Sequence, residues 1–427
     1  MAKDTAAAYR NQVIYSVFVR NHTPEGTFEG VRRDLPRIQA LGADIIWLLP
    51  IHPIGETARK GTLGSPYAIS DYRAVNPEYG TLEDFRRLVE EIHALGMKCI
   101  IDVVYHHTSP DSLLAREHPH WFYRREDGSF GNKVGDWSDI IDLDYRDRAL
   151  WEYQIETLCY WAGMVDGFRC DVAPLVPLEF WREARARVEK IRPGCLWLAE
   201  TVDPGFIRSI REAGFGCLSD CQVFEAFDLS YEYDVYPLFR DYLAGKIPLA
   251  RYAEALDQQE VLYPQNYVKL RFLENHDKPR AAFLFPNGAA LRNWTAFLFF
   301  QKGTTLLYAG QEAGCTHLPS LFDRDPVDWS GPDLSPLFRR LCALKKHPLL
   351  AEGSYRVKAL PGEVLCTACR GKNRQLLGVF SLRGEPVCVP VYIRDGEYEN
   401  LLGGTVQVED CLVRCGGEPL IFEVGLD

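Results

Sequence analysis

The sequence predicts an α/β protein built on a closed (β/α)8 TIM barrel, with a short excursion domain after strand 3 and a C-terminal antiparallel β-sandwich. Three observations lead there. Over about the first 310 residues, short apolar runs alternate with amphipathic helical segments, the pattern of βα units feeding a parallel sheet. Eight such apolar runs occur, each followed by helix or a long loop, which suits a closed barrel better than an open sheet. After Pro348 the rhythm changes to short alternating runs separated by Gly, Asn and Asp turns, as in a sandwich.

Taken in order, the expected barrel strands are residues 13–19, 45–49, 99–104, 167–170, 196–199, 217–219, 268–273 and 305–308. The sixth, Cys-Leu-Ser, carries the weakest pattern. Helical periodicity is clearest over 82–95, 149–161, 178–191, 249–262 and 291–301. The first of these has Thr81 as its N-cap and stops at Gly96. Between the third and fourth strands lies a polar, aromatic-rich stretch without a helix of adequate length, and a loop that long is usually functional. The expected division is therefore a barrel over 1–105 and 146–348, an excursion over 106–145, and a sandwich over 349–427. Its strand-like runs are VLCTAC, QLLGVFSL, VCVPVYI, CLVRCG and LIFEV.

Composition narrows the function. A chain of 427 residues has room for two or three domains, and 47% hydrophobic with 25% charged residues is a globular balance. A net charge of −11 argues against nucleic acid, whose phosphates need clustered Lys and Arg, and is compatible with a neutral substrate such as a sugar. No apolar run reaches the ~18 residues needed to span a membrane. Residues 1–10 lack the apolar segment of a secretory signal, so a cytoplasmic location is expected. Thirteen Cys without small-scaffold spacing suit free thiols in a reducing compartment. Cys366 and Cys369 with Cys411 and Cys415 have the numbers for a four-thiolate zinc site. Both pairs fall in strand-like runs, where Cys is an ordinary small hydrophobe.

Active sites of such barrels form at the C-terminal ends of the strands. The second strand ends at Pro50-Ile51-His52 and the third in Asp102, followed by Tyr105-His106-His107. The fourth carries Arg169 and ends in Asp171, the fifth ends in Glu200, and the seventh in Glu274-Asn275-His276-Asp277. So many charges at the tips of core strands point to chemistry. Glycoside hydrolysis needs two carboxylates with protonation states pushed apart. Arg169 and Asp171, two apart on a strand, share a face, and the guanidinium favours the ionised form that a nucleophile needs. Glu200 follows Leu198 and Ala199, and an apolar setting keeps a carboxyl protonated, as a general acid must be. Asp277 can stabilise a cationic sugar electrostatically, His107 and His276 can bond sugar hydroxyls, and Tyr67 offers a stacking face.

Each of these residues taken singly has an ordinary structural reading. Asp171 beside Arg169 suits an ion pair, Glu200 a helix N-terminal carboxylate, and His276 a satisfied structural histidine. His106 and His107 with His118 and His120 would suggest a metal site, but a long polar loop separates the two pairs. The joint placement at successive strand ends is what favours catalysis.

These residues resemble the α-amylase family of glycoside hydrolases, through nearly the whole chain. Asp102-Val-Val-Tyr-His106-His107, Gly167-Phe-Arg169-Cys-Asp171, Leu198-Ala199-Glu200 and Asn275-His276-Asp277 follow its four motifs in order. Ile46 to Pro50, Ser65-Pro66-Tyr67 with Asp71-Tyr72, Asp142-Leu143-Asp144 and 305–312 agree as well. The resemblance implies Asp171 as nucleophile, Glu200 as general acid/base and Asp277 as transition-state stabiliser. Tyr67, Asp102, His107, Arg169 and His276 would form the sugar-binding set. The implied reaction is a retaining double displacement on α-glucosidic bonds, most simply α-1,4 bonds of maltodextrins.

Two departures qualify the resemblance. His106 stands where the family usually has an Asn that helps bind calcium, and calcium prefers oxygen ligands. No metal ligand is therefore assigned, and no required metal or other cofactor is expected. After Asp171 the sequence runs Val-Ala-Pro174-Leu175, without the Lys and His that many starch-cutting members carry there. A glucanotransferase, a sucrose phosphorylase-like or trehalose-forming enzyme, or an α-1,6-glucosidase would share the same trio. A catalytically inert sugar-binding protein on this fold is the reading of a different class.

Overall fold

The computed structural model describes residues 4–135 and 137–426. The first three residues of the amino-terminal stretch read above lie outside the described residues. Eight parallel strands close into a barrel. They are β1 (Val13–Val17), β2 (Ile45–Leu48), β3 (Lys98–Val103), β4 (Gly167–Cys170), β5 (Leu196–Ala199), β6 (Leu229–Tyr231), β7 (Lys269–Arg271) and β8 (Thr304–Tyr308). Ring closure is the pairing of β1 with β8, Val13 opposite Thr305 and Ser16 opposite Tyr308. Every residue of β1, β2, β4 and β5 is buried, because helices cover the outside while side chains fill the inside.

The sixth strand is not at 217–219. Cys217 and Leu218 lie in a connecting loop, and Ser219 begins a single helical turn, Asp220–Val223, with Gln222 accepting a hydrogen bond from the Ser219 backbone N–H at 3.0 Å. The Ser-x-x-Gln spacing is a helix-start signal that an apolar run had masked. The strand itself, Leu-Ser-Tyr, is three residues long with a buried Ser230 at its centre, too short and mixed for a hydrophobic pattern to reveal. Its register is set from below. Asp228 accepts from the Trp197 backbone N–H at 3.0 Å and from both terminal guanidinium nitrogens of Arg185, so Leu229 falls opposite Leu198.

The helices form where periodicity placed them. The one over Leu82–Ala94 starts at Thr81, whose side chain accepts from the Asp84 N–H while Asp84 returns the bond, and ends before Gly96 at φ 78°. Gly288–Phe300 is apolar on nearly all sides, with Trp294 through Phe300 buried, because it lies between the barrel and the C-terminal sheets. Phe297 and Phe300 pack against Phe380 of those sheets at 5.6 and 5.8 Å. No helix among the described residues is long and apolar enough to cross a membrane.

Beyond residue 353, eight antiparallel strands form two four-stranded sheets. One contains β9 (Ser354–Leu360), β10 (Val364–Arg370), β11 (Arg374–Ser381) and β16 (Leu420–Gly425). The other contains β12 (Val387–Pro390), β13 (Gly396–Glu399), β14 (Thr405–Glu409) and β15 (Leu412–Cys415). Valines, Phe422 and Cys415 fill the space between the sheets, while Leu365, Cys369 and Leu376 face the barrel core. Cys366 and Cys369 therefore serve opposite sides of β10, and no four-thiolate cluster exists among the described residues.

Residues 104–147 fold over the mouth of the barrel. His107–Thr108 pairs with Ile141–Asp142, and a five-residue helix, Leu113–Glu117, precedes a turn of 3₁₀ helix at Pro119–Trp121. His118 stacks on Trp121 at 3.8 Å, whereas His106 and His107 sit beside Asp142. The four histidines thus form two separate groups.

Candidate active site

The C-terminal ends of the barrel strands open into a cleft of about 540 Å³, a size suited to a small ligand. Asp171, Glu200 and Asp277 all face it, together with Tyr67 and His107. Strands β4 and β5 lie side by side with Cys170 opposite Ala199, so the next residue of each, Asp171 and Glu200, emerges at the same height. Asp277 arrives from the turn beyond β7, its N–H donating to the Asn275 side-chain oxygen at 2.9 Å.

Arg169, Asp102 and His276 form the layer beneath. The Arg169 guanidinium is fully buried and touches three carboxylates, Asp102 at 2.9 Å, Asp171 at 2.7 Å and Glu200 at 2.9 Å. Trp47, Tyr67 and Tyr231 surround it, their ring centres 5.2, 5.7 and 5.6 Å from its central carbon. The Tyr67 hydroxyl donates to Asp102 at 3.1 Å and lies 2.7 Å from His276 Nε2. The Tyr67 and His276 rings stack 5.5 Å apart, which fixes the one face that Tyr67 turns to the cleft.

Three carboxylates around one cation cannot all ionise freely, and the surroundings separate them. Burial pushes Glu200 up to about 7, against the pull of Arg169 and with the added repulsion of Asp171 and Asp277. Asp171 is also pushed upward by burial, so Arg169 opposes the shift rather than setting it. Asp102, with no exposure at all, is driven well above the carboxylate range by desolvation despite its bond to Arg169. Asp277 moves the other way: desolvation raises it, but His276, Arg169 and Lys278 together hold it at about 2. One carboxyl poised to donate a proton thus stands beside a permanent anion. Arg169 contacts both Asp171 and Glu200, at 2.7 and 2.9 Å, and so holds the two carboxyls side by side.

The residue after Asp171 is strained. Val172 has φ 34° and ψ 43°, a left-handed conformation rare for a β-branched side chain. That twist turns its N–H toward Glu200, which accepts the bond at 3.0 Å.

Other cleft residues carried no motif. Lys60 comes from the long loop after β2, Trp137 and Asp139 from the excursion, Phe206 from the helix after β5, and Tyr233 and Lys278 from the loops after β6 and β7. Trp137 and Phe206 stack at 6.4 Å with their planes 23° apart. The one available signal was loop length, since the segment between β2 and the helix at Leu82 holds over thirty residues without a helix.

Among the described residues, the group able to hold a metal is His106, His107 and Asp142. His106 Nδ1 is 3.2 Å from His107 Nδ1, and His106 Nε2 is 3.5 Å from an Asp142 oxygen. Burial lowers both imidazoles, His107 to about 4, so each is neutral near pH 7. Two imidazoles and one carboxylate are a nitrogen-rich set that does not fit calcium.

A family model described as the alpha amylase catalytic domain matches residues 7–120 and 115–329, and one for the bacterial alpha amylase C-terminal domain matches 356–422. The crystal structure of an alpha-amylase from Lactobacillus plantarum superposes with a TM-score of 0.95 at 48% identity, covering 98% of this chain and 100% of that one. A noncanonic maltogenic alpha-amylase from Thermotoga neapolitana gives 0.86 at 34% identity, covering 98% and 99%. An alpha-1,4-glucan:maltose-1-phosphate maltosyltransferase from Myxococcus xanthus is 35% identical over 227 residues, 47% of this chain and 34% of that protein. The chain spans about a third of the length of the first curated relatives it matches.

Proposed function

Since the chain belongs to the α-amylase family of glycoside hydrolases, we propose that it cleaves α-1,4-glucosidic bonds of maltodextrin-like oligosaccharides with retention of configuration. The observation that carries this reading is the shared guanidinium. Arg169 binds both Asp171 and Glu200, yet Glu200 stays poised for protonation at about 7. Two carboxyls held side by side by one guanidinium suit the close pairing of a retaining enzyme better than the wide one of an inverting enzyme, which favours a covalent route.

In the first step Asp171 attacks the anomeric carbon of the sugar stacked on Tyr67. Glu200 gives its proton to the departing glycosidic oxygen, leaving a glycosyl ester on Asp171. Asp277, an anion throughout, offsets the positive charge that builds on the ring. In the second step Glu200, now ionised, takes a proton from water, whose oxygen attacks the same carbon and frees Asp171. Arg169 holds both carboxyls in register and is a positioning residue.

Transfer to a sugar in place of water is the second reading. It is favoured by the stacked pair of Trp137 and Phe206 in the cleft, an apolar platform on which an acceptor ring can displace water. Calcium has no part in the mechanism, in keeping with the nitrogen-rich group at His106. The substrate is a neutral oligosaccharide, and the proposed location is the cytoplasm.

The test is product analysis after separate incubation with maltoheptaose, pullulan, sucrose and trehalose. Shorter maltodextrins released as α-anomers support the hydrolase. Longer products or interconverted disaccharides support transfer. Turnover of pullulan alone, with maltotriose as the product, overturns the α-1,4 reading, and β-anomers overturn retention.

A further inference from the structure

Resting on that glycosidase reading, we propose that the cleft is walled off on the glycone side by Lys60 and Asp139. The enzyme then works from the non-reducing end of an α-glucan and releases one short unit at a time. The Lys60 ammonium lies 2.9 Å from the Asp139 carboxylate. Both residues line the cleft, one from the loop after β2 and one from the excursion after β3, so their ion pair joins two loops across it.

The side that this pair closes follows from its neighbours. Tyr67 shares the Lys60 loop, and Trp137, two residues before Asp139, packs against His107 with ring centres 5.7 Å apart. Tyr67 and His107 belong to the attacked sugar. Glu200, which protonates the leaving group, instead stands at the end of β5, which is followed by the helix carrying Phe206 and neighboured by β6, which leads to Tyr233. A chain entering from that open side brings its non-reducing end against the Lys60–Asp139 bridge.

The wall is braced. Asp111 of the excursion accepts from the Glu56 and Thr57 N–H groups at 2.8 and 3.1 Å. The Leu63 N–H donates to the Phe322 carbonyl at 2.9 Å, and the Thr62 hydroxyl to Asp323 at 2.7 Å, tying the loop to the one after β8. Gly61 has φ 64°, and a Cβ there would sit 2.5 Å from that of Phe322, so no side chain fits at the seam. A segment held from two sides is a fixed boundary.

The experiment compares maltoheptaose with maltoheptaose carrying an acetal on its non-reducing glucose. Wild-type enzyme should release a single short product from the first, and cleave the second at least ~10-fold more slowly, because a tight pocket rejects a few added carbons by that much or more. The double variant Lys60→Ala/Asp139→Ala removes the bridge without leaving a buried lone carboxylate. It should bring the two rates together and lengthen the products, while Lys60→Arg keeps the wild-type pattern. Equal cleavage of both substrates by wild type, at internal bonds, overturns the wall. An unchanged rate ratio in the double variant overturns its assignment to this pair. Hydrolysis of 4-nitrophenyl α-maltoside by wild type serves as the separate check. Its absence sinks the glycosidase reading, whereas its presence with end-independent cleavage sinks only the wall.

Discussion

Replacing Glu200 by Gln keeps the side-chain shape and the bond from the Val172 N–H but removes the only transferable proton assigned to the leaving group. A positioned general acid contributes about 10²–10⁴-fold, or roughly 3–5 kcal/mol of barrier. Activity on maltoheptaose should fall by that factor. The fall should depend on the leaving group, since α-maltosyl fluoride departs without a proton and its first step should be nearly unaffected. Deglycosylation also needs Glu200 as a base, so the glycosyl ester should accumulate and give a burst of fluoride. The pH dependence has a definite sign. The protonated form is the active one, so kcat/KM of wild type on maltoheptaose should decline as pH rises through about 7, where burial has moved Glu200. Glu200→Gln should lose that alkaline limb. Rates at several pH values on both substrates provide the assay. A variant keeping more than about a tenth of wild-type maltoheptaose activity, or keeping the limb, refutes the acid assignment.

Asp171→Asn should abolish turnover of both substrates by ~10³-fold or more, fluoride included, because no nucleophile remains to form the ester. Full activity on either one ends that assignment. Arg169→Met leaves three buried carboxyls without their cation and should cost about 3–5 kcal/mol of stability at pH 7, read by urea denaturation. That loss should shrink at low pH as the carboxyls protonate, and a constant loss contradicts the argument. Dialysis against EDTA should leave Tm and maltodextrin hydrolysis unchanged, and activity that disappears and returns with calcium rejects the reading of the His106 group.

Much of the site was legible because the chemistry concentrates costly groups where a barrel sequence is otherwise apolar. Asp171, Glu200 and Asp277 each terminate or follow a buried strand, and strand ends are what hydrophobic runs reveal best. The sixth strand escaped for the complementary reason. Leu229–Tyr231 is positioned by the polar anchor Asp228, not by an apolar run of its own. The same holds in the sandwich for Gly396–Glu399, which lies largely exposed and shows little hydrophobic pattern. Lys60, Trp137 and Asp139 reach the cleft through loop conformation, which depends on partners hundreds of residues away in some cases. The tie of Leu63 to Phe322 is one such dependence. The layering of the site was equally hidden, since nothing in a motif says that Arg169, Asp102 and His276 lie under the cleft while Tyr67 and His107 face it.

Ring closure has a consequence in time. The first strand, Val13–Val17, finds one neighbour early in Ile45–Leu48, but its other edge waits for Thr304–Tyr308. At ribosomal speeds, the roughly 290 intervening residues take about 15–60 s to synthesise. Through that interval the nascent chain carries an unpaired strand edge whose side chains are apolar but for Ser16, the kind of surface that recruits other chains. The yield of this protein in a cell should therefore respond to translation rate and to chaperones that shield nascent chains, even where its finished stability is ample. Slowing synthesis after residue 48 lengthens the exposure, and a circular permutant that begins at Thr304 would have made the closing partner before the first strand emerges.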